Sequence, residues 1–284
     1  MCPVFPKRIE IELSNTCNLR CTYCPRQYLD NPKGFMNVEL FRRIVDEASN
    51  YPETILVLHR RGESLLHPDF INICNYVKDK FNNIQLATNA TLLDTKNSNA
   101  IIGSVDFISF SIDIPKVFDK TRIPASYAEV EQKILHFLSL NKGRAKTQVS
   151  MVKTKDTPDA NAEMFKKIWT GKVDRIRIYQ EHSVNGVFGA ICDPRQDRKP
   201  CVMPNYELLI YYDGKVGRCN HDWNGEPMGD VNFGSIAEIW HNKKYIDLRE
   251  QHATLRISDP VCAGCDSWYA ETGVQGTGEV ITNG

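Results

Sequence analysis

Seven of the chain's ten cysteines stand in two groups at opposite ends of its 284 residues. Cys17, Cys21 and Cys24 form the first group; Cys201, Cys219, Cys262 and Cys265 form the second. The N-terminal stretch has no long apolar run of the kind a signal peptide needs, and the charged side chains of Glu10 and Glu12 come soon after it. A cytoplasmic location is therefore expected, where disulfides are disfavoured and close cysteine spacing points to metal binding or catalysis. Thiolates separated by three and then two residues can converge on one cubane. A [4Fe–4S] cluster ordinarily takes four thiolates, so three leave one iron open to an outside ligand, as a catalytic site requires. The alternative, zinc, wants four closed ligands when it is structural. The second group supplies four thiolates, a closed set that suits either [4Fe–4S] or zinc. Of the leftover cysteines, Cys2, Cys74 and Cys192, the second falls on an apolar helix face and reads as core.

Between the groups, apolar runs over residues 9–13, 54–58, 84–88, 107–111, 147–152 and 175–179 read as strands. Residues 38–49, 69–80, 127–140 and 160–169 read as helices, the first with Asn37 as N-cap and Glu39 at its positive end. This alternation predicts an α/β fold, a parallel sheet covered by helices, with chemistry at the carboxyl ends of the strands. Beyond about residue 185 the pattern breaks. Residues 186–204 are rich in Gly, Pro, Arg and Asp, which divides the chain into 1–185 and 186–284. A hairpin turning at Asp213-Gly214 and a helix near 235–250 come next. So small a region has little core of its own, and a metal cluster would supply the missing stability. Basic and acidic side chains balance at 35 each, which gives no electrostatic case for nucleic acid, and no apolar run approaches the length of a membrane span.

The run Ser14-Asn15-Thr16-Cys17-Asn18-Leu19-Arg20-Cys21-Thr22-Tyr23-Cys24-Pro25 resembles the signature of the radical S-adenosylmethionine (SAM) superfamily. There the open iron binds the amino and carboxylate groups of SAM. The resemblance implies a partial (β/α)6 TIM-like barrel and further SAM contacts, each just after a predicted strand. Arg60-Arg61-Gly62-Glu63-Ser64 matches the family's Gly-Gly-Glu-Pro segment, with Arg61 and Ser64 departing from the commoner Gly and Pro. It implies SAM contacts at Gly62 and Glu63. Asn89 of Thr88-Asn89-Ala90, Ser111 and Asp113 of Ser109-Phe110-Ser111-Ile112-Asp113, and Arg122 on the SAM carboxylate come next in order. Tyr23 is expected near the adenine, with packing against the barrel rim as the other reading.

Around the second cysteine group, Asp213-Gly214-Lys215-Val216-Gly217-Arg218-Cys219, Met228-Gly229-Asp230-Val231, Ser235-Ile236-Ala237-Glu238-Ile239-Trp240 and Cys262-Ala263-Gly264-Cys265 resemble the SPASM/twitch extension of radical SAM enzymes. No cysteine comes after Cys265, which matches the shorter twitch form with one auxiliary [4Fe–4S] cluster. The cysteine layout is similar to that of the 2-deoxy-scyllo-inosamine dehydrogenase type, which oxidises an aminocyclitol alcohol to a ketone. The resemblance thus implies SAM, two [4Fe–4S] clusters, a hydroxylated small-molecule substrate and a low-potential electron donor such as flavodoxin or ferredoxin. Glu181, His182 and His221, with Asp222 beside it, are candidates for binding the substrate or taking its proton. Cys192 is a candidate hydrogen donor, or a spare thiol, and His59, Arg60 and Arg61 end the second strand within reach of substrate or a redox partner. The rival readings are a redox-neutral epimerase and a peptide maturase. Many maturases carry an N-terminal peptide-recognition domain, for which the residues before the first strand leave no room.

Overall fold

A computed structural model describes residues 3–154, 157–180, 198–265 and 278–282. Its strands are β1 (Arg8–Ile11), β2 (Arg20–Cys21), β3 (Ile55–Val57), β4 (Ile84–Thr88), β5 (Phe107–Ser111), β6 (Arg122–Ile123), β7 (Lys146–Lys153), β8 (Arg175–Gln180), β9 (Glu207–Ile210), β10 (Lys215–Gly217), β11 (Gly229–Asp230) and β12 (Gly278–Thr282). The helices are α1 (Val38–Ala48), α2 (Phe70–Val77), α3 (Thr95–Ser104), α4 (Pro115–Thr121), α5 (Tyr127–Asn141), α6 (Asp159–Trp169), α7 (Ile236–Trp240), α8 (Lys243–Thr254) and α9 (Pro260–Ala263). Among the described residues, a ten-stranded sheet runs in the order β11-β10-β9-β1-β3-β4-β5-β7-β8-β12.

The expected parallel sheet is its centre: β1, β3, β4, β5, β7 and β8 pair in parallel and succeed one another through helical crossovers. Their outward side chains, among them Ile9, Ile11, Leu56, Leu86, Ile108, Val149 and Ile176, are buried in one apolar core with the covering helices. The inward side chains differ. One cavity of about 470 Å³ is lined from all six of these strands, through Arg8, Ile55, Gln85, Phe107, Gln148 and Arg175. The sheet is therefore curled around a polar lumen. It is not closed, because β1 pairs next with β9 and β8 with β12.

The C-terminal region is less separate than its composition suggests. β9 lies parallel against β1, and β10 and β11 extend the same sheet in antiparallel fashion. Leu208, Ile210, Val216, Ile239 and Trp240 belong to the same core as Ile9 and Ile11, so apolar burial helps to hold this region in place. Gly214 takes φ +90 at the tip of the hairpin, where a Cβ would meet Asn232 Nδ2 at 2.2 Å. The single helix expected over 235–250 is two. α7 ends at Trp240, and Asn242 starts α8 by accepting a hydrogen bond from the Tyr245 amide.

Candidate active site

The loop leaving β1 carries the first cysteine group over the carboxyl ends of the strands. Its path is fixed by neighbours that leave little freedom. The Glu63 amide donates to the Thr16 carbonyl, and a Cβ on Gly62 would come within 2.2 Å of the Ser14 carbonyl oxygen and 2.5 Å of that of Thr16. Gly62 thus owes its identity to backbone packed directly upon it. Cys21 stands in β2 opposite Arg122 of β6, and the Cys24 amide closes a turn onto the Cys21 carbonyl. Asn89, just past β4, donates from Nδ2 to the Asn18 side chain and toward Cys17 Sγ at 3.7 Å.

Burial pushes all three thiols up, and each lies near enough to another of the three to be pushed further by its charge. The second group behaves alike. Cys201, Cys219 and Cys262 are all raised, first by burial, then by Glu207 at Cys219 and Asp259 at Cys262, and further by neighbouring thiols that include Cys265; Cys201 reaches about 11. Ionised thiolates so placed need cationic iron between them. Among the described residues, no three Cys, His, Asp or Glu side chains converge closely enough for a single metal ion. Three thiols at one site and four at the other are donor sets that fit iron–sulfur clusters.

The other expected SAM contacts meet around the first group, though several are already engaged. Glu63 is buried and its carboxylate accepts from Thr88 Oγ1, the Asn89 amide and the Leu65 amide, so it ties the β3 and β4 ends together. Burial raises it above the ordinary carboxylate range. Asp113 Oδ2 accepts from Tyr23 Oη at 2.9 Å and Arg122 Nε at 2.8 Å, while its buried Oδ1 has no hydrogen-bond partner among the described residues. Arg122 is likewise buried, with its guanidinium 5.4 Å from the Tyr23 ring centroid. Tyr23, Asp113 and Arg122 are therefore one unit beside Cys21, rather than three independent contacts. Ser111 is half-buried at the lumen.

Arg61, the residue that departs from the commoner glycine, has a role of its own. It makes a paired ion bridge to buried Glu12 (2.6 and 2.9 Å), stacks on Tyr211 and donates to the Trp223 carbonyl. Arg60 donates to the Asp222 carbonyl and lies over the Trp223 ring. Two consecutive arginines thus tie the loop after β3 to the loop after Cys219. Asp222 is fully buried and accepts from Arg218 and Gly225, so it braces the second cysteine loop and is not placed to take a substrate proton. His221 is half-buried in that loop, while Glu181, His182 and Cys192 lie outside the described residues. Cys74 is buried in α2, as its apolar helix face suggests.

Sequence reading missed the lumen itself. His59 faces it and accepts from the Ala87 amide through Nδ1; burial, then Arg8 and Arg60, lower it to about 3, so it stays neutral. Glu10 of β1 is buried beside Glu207 of β9 and is raised to about 8 by burial and by that second carboxylate. The signal was the alternation of charged and apolar residues along β1, Arg8-Ile9-Glu10-Ile11-Glu12, which is ordinarily read as a solvent face.

Comparison with known proteins agrees with this geometry. The radical SAM superfamily matches residues 11–168, and the SPASM iron-sulfur cluster-binding domain matches 201–266. The tungsten-containing aldehyde ferredoxin oxidoreductase cofactor-modifying protein of Pyrococcus furiosus is 24% identical, over 91% of this chain and 87% of its own. The S-adenosyl-L-methionine-dependent 2-deoxy-scyllo-inosamine dehydrogenase of Niallia circulans is 21% identical, over 93% and 94%. In fold, the chain resembles the crystal structure of BtrN in complex with AdoMet and 2-DOIA, with TM-score 0.65 at 18% identity and 94% of each chain covered.

Proposed function

Since the chain belongs to the radical SAM superfamily and carries a SPASM-type iron–sulfur domain, using SAM, a [4Fe–4S] cluster and auxiliary iron–sulfur chemistry, we propose that it oxidises a secondary alcohol of a hydroxylated small molecule, an aminocyclitol or sugar, to a ketone. Bound at Cys17, Cys21 and Cys24, cluster and SAM would supply a 5′-deoxyadenosyl radical that takes the carbinol hydrogen, and a second cluster at Cys201, Cys219, Cys262 and Cys265 would supply the electron acceptor. The Tyr23–Asp113–Arg122 unit would orient SAM, with Arg122 offering its terminal nitrogens to the carboxylate. Gly62 and Asn89 would fix the loop on which the cluster sits.

The observation that carries this reading is the loop after β3, which touches both cysteine loops. The Glu63 amide donates to the Thr16 carbonyl, Arg60 and Arg61 donate to the Asp222 and Trp223 carbonyls, and Arg60 also lines the lumen. A substrate held there would stand between the hydrogen-abstracting site and the electron acceptor. The dehydrogenase relative fits the same scheme.

The test is a folded Cys262→Ala/Cys265→Ala variant, incubated with SAM, reductant and candidate polyols. We expect 5′-deoxyadenosine to form and ketone to be lost, with circular dichroism and SAM binding excluding unfolding. Ketone at the wild-type rate would refute the acceptor role. Solvent deuterium appearing at carbon without ketone would favour an epimerase instead.

A further inference from the structure

We propose that the lumen selects a substrate that is both hydroxylated and anionic, with Arg60 and Arg175 as the anion-binding cations and Gln148 as a hydroxyl acceptor. This deepens the proposed function and rests on it for the lumen's role as the substrate site. The interior of a parallel barrel is normally filled with packed apolar side chains. Here it holds a cavity of about 470 Å³ whose wall carries polar atoms with nothing to bind. Arg60 Nε, Arg175 Nε and Gln148 Oε1 are buried and make no hydrogen bond among the described residues, and all three residues line that one cavity. Buried orphans of this kind call for a partner that enters from outside.

The charges around the cavity do not cancel. Arg8 is paired with Glu207 and also donates to Gln85, so it is satisfied. Glu10, buried against Glu207, holds its proton through the neutral range and adds little negative charge. Arg60 donates to a carbonyl oxygen, lies over an indole ring and is near enough to Glu10 for its charge to act on that carboxyl, and Arg175 lies 5.6 Å from the Phe107 centroid; neither makes a salt bridge among the described residues. His59 is neutral and so supplies no further charge, but with Nδ1 accepting from Ala87 its Nε2–H is a donor. Two guanidiniums without a salt bridge on the wall of one cavity favour a carboxylate or a phosphate monoester.

The neutral orphan sets the rest of the ligand. Ala87, Ser109, Gln148 and Arg175 occupy one tier of the lumen by strand register. Within it Gln148 Nε2 donates to Ser109 Oγ, which orients Oε1 of the same amide as a fixed acceptor. An acceptor in the tier of a cation matches a molecule that offers a hydroxyl proton near its negative group.

The test is anaerobic isothermal titration of SAM-loaded, cluster-reconstituted protein with glucose, gluconate and glucose 6-phosphate. We expect a charged probe to bind at least about tenfold more tightly than glucose, the scale of a hydrogen bond to an ionised group. Which charged probe wins distinguishes carboxylate from phosphate. Arg175→Gln and Arg60→Gln should each lose most of that preference, and Arg175→Lys should keep part of it. Should one glutamine variant fail to fold by circular dichroism, the other still decides. Equal binding of the three probes, binding of neither charged probe, or a preference that survives both substitutions overturns the proposal. Formation of 5′-deoxyadenosine without any probe tests the superfamily chemistry separately, so the two failures can be told apart.

Discussion

Arg122 and Asp113 are buried together, and each is costly without the other. Removing one partner of such a pair strands a charge, whereas removing both is often nearly neutral. Arg122→Ala should therefore weaken SAM binding by about 1.5–3 kcal/mol and also lower thermal stability. Adding Asp113→Ala should restore stability but not SAM affinity. Calorimetric titration and a melting curve separate the two effects, and recovery of SAM binding in the double variant would show that Arg122 acts only by holding Asp113. At this scale the sequence spoke clearly where spacing marks a residue's role. The cysteines stood out by their spacing, whereas Gly62, expected as a SAM contact, is held by the backbone of Ser14 and Thr16 packed upon it. Arg61 was not legible, because its partners Glu12 and Trp223 meet it only once the sheet is assembled, and Asp222 was not, because its local pairing with Arg218 carries no periodic signal.

Among the elements, α1 and α7 are joined end to start. Glu47, in the last turn of α1, accepts from the Ile236 and Ala237 amides, the first two donors of α7, while Ser235 and Glu238 form a capping box on the same helix. Those two amides have no partner within their own helix. Glu47→Ala should cost about 1 kcal/mol, the usual worth of an N-terminal cap, seen as a lower denaturant midpoint at unchanged slope. A midpoint equal to wild type would mean that water replaces the carboxylate. The six parallel strands were readable from their apolar runs, and Asn37 as a cap from its side-chain chemistry; it accepts from the Glu39 and Leu40 amides as expected. α3 went unread, since Thr-Lys-Asn-Ser-Asn opens it with no apolar period to detect. The polar lumen was hidden by the same logic. Alternation tells which residues share a face, but not that the polar face is turned inward.

For the molecule as a whole, the Glu10–Glu207 pair makes stability depend on pH. Glu10 is raised from 4.5 to about 8 by burial and by Glu207, so the folded state binds its proton more tightly than the unfolded chain does. Its contribution is fully present below about pH 4.5 and is lost as pH rises through about 8. Glu10→Gln, which keeps the shape and removes the titration, should leave the melting temperature nearly unchanged at pH 5. At pH 9 it should raise it, by about 2–4 °C for each kcal/mol relieved. Parallel melting curves of the two proteins across this range would refute the assignment.

The neighbour of β1 on one side comes from residues 55–57 and on the other from residues 207–210. A ribosome making this chain therefore releases β1 early and its second partner almost 200 residues later. For most of its synthesis the nascent protein carries an open strand flank beside the loop that bears Cys17, Cys21 and Cys24. An uncovered flank can pair with another chain. A fragment of this chain that ended before residue 207 would keep that flank of β1 open to a second copy of itself.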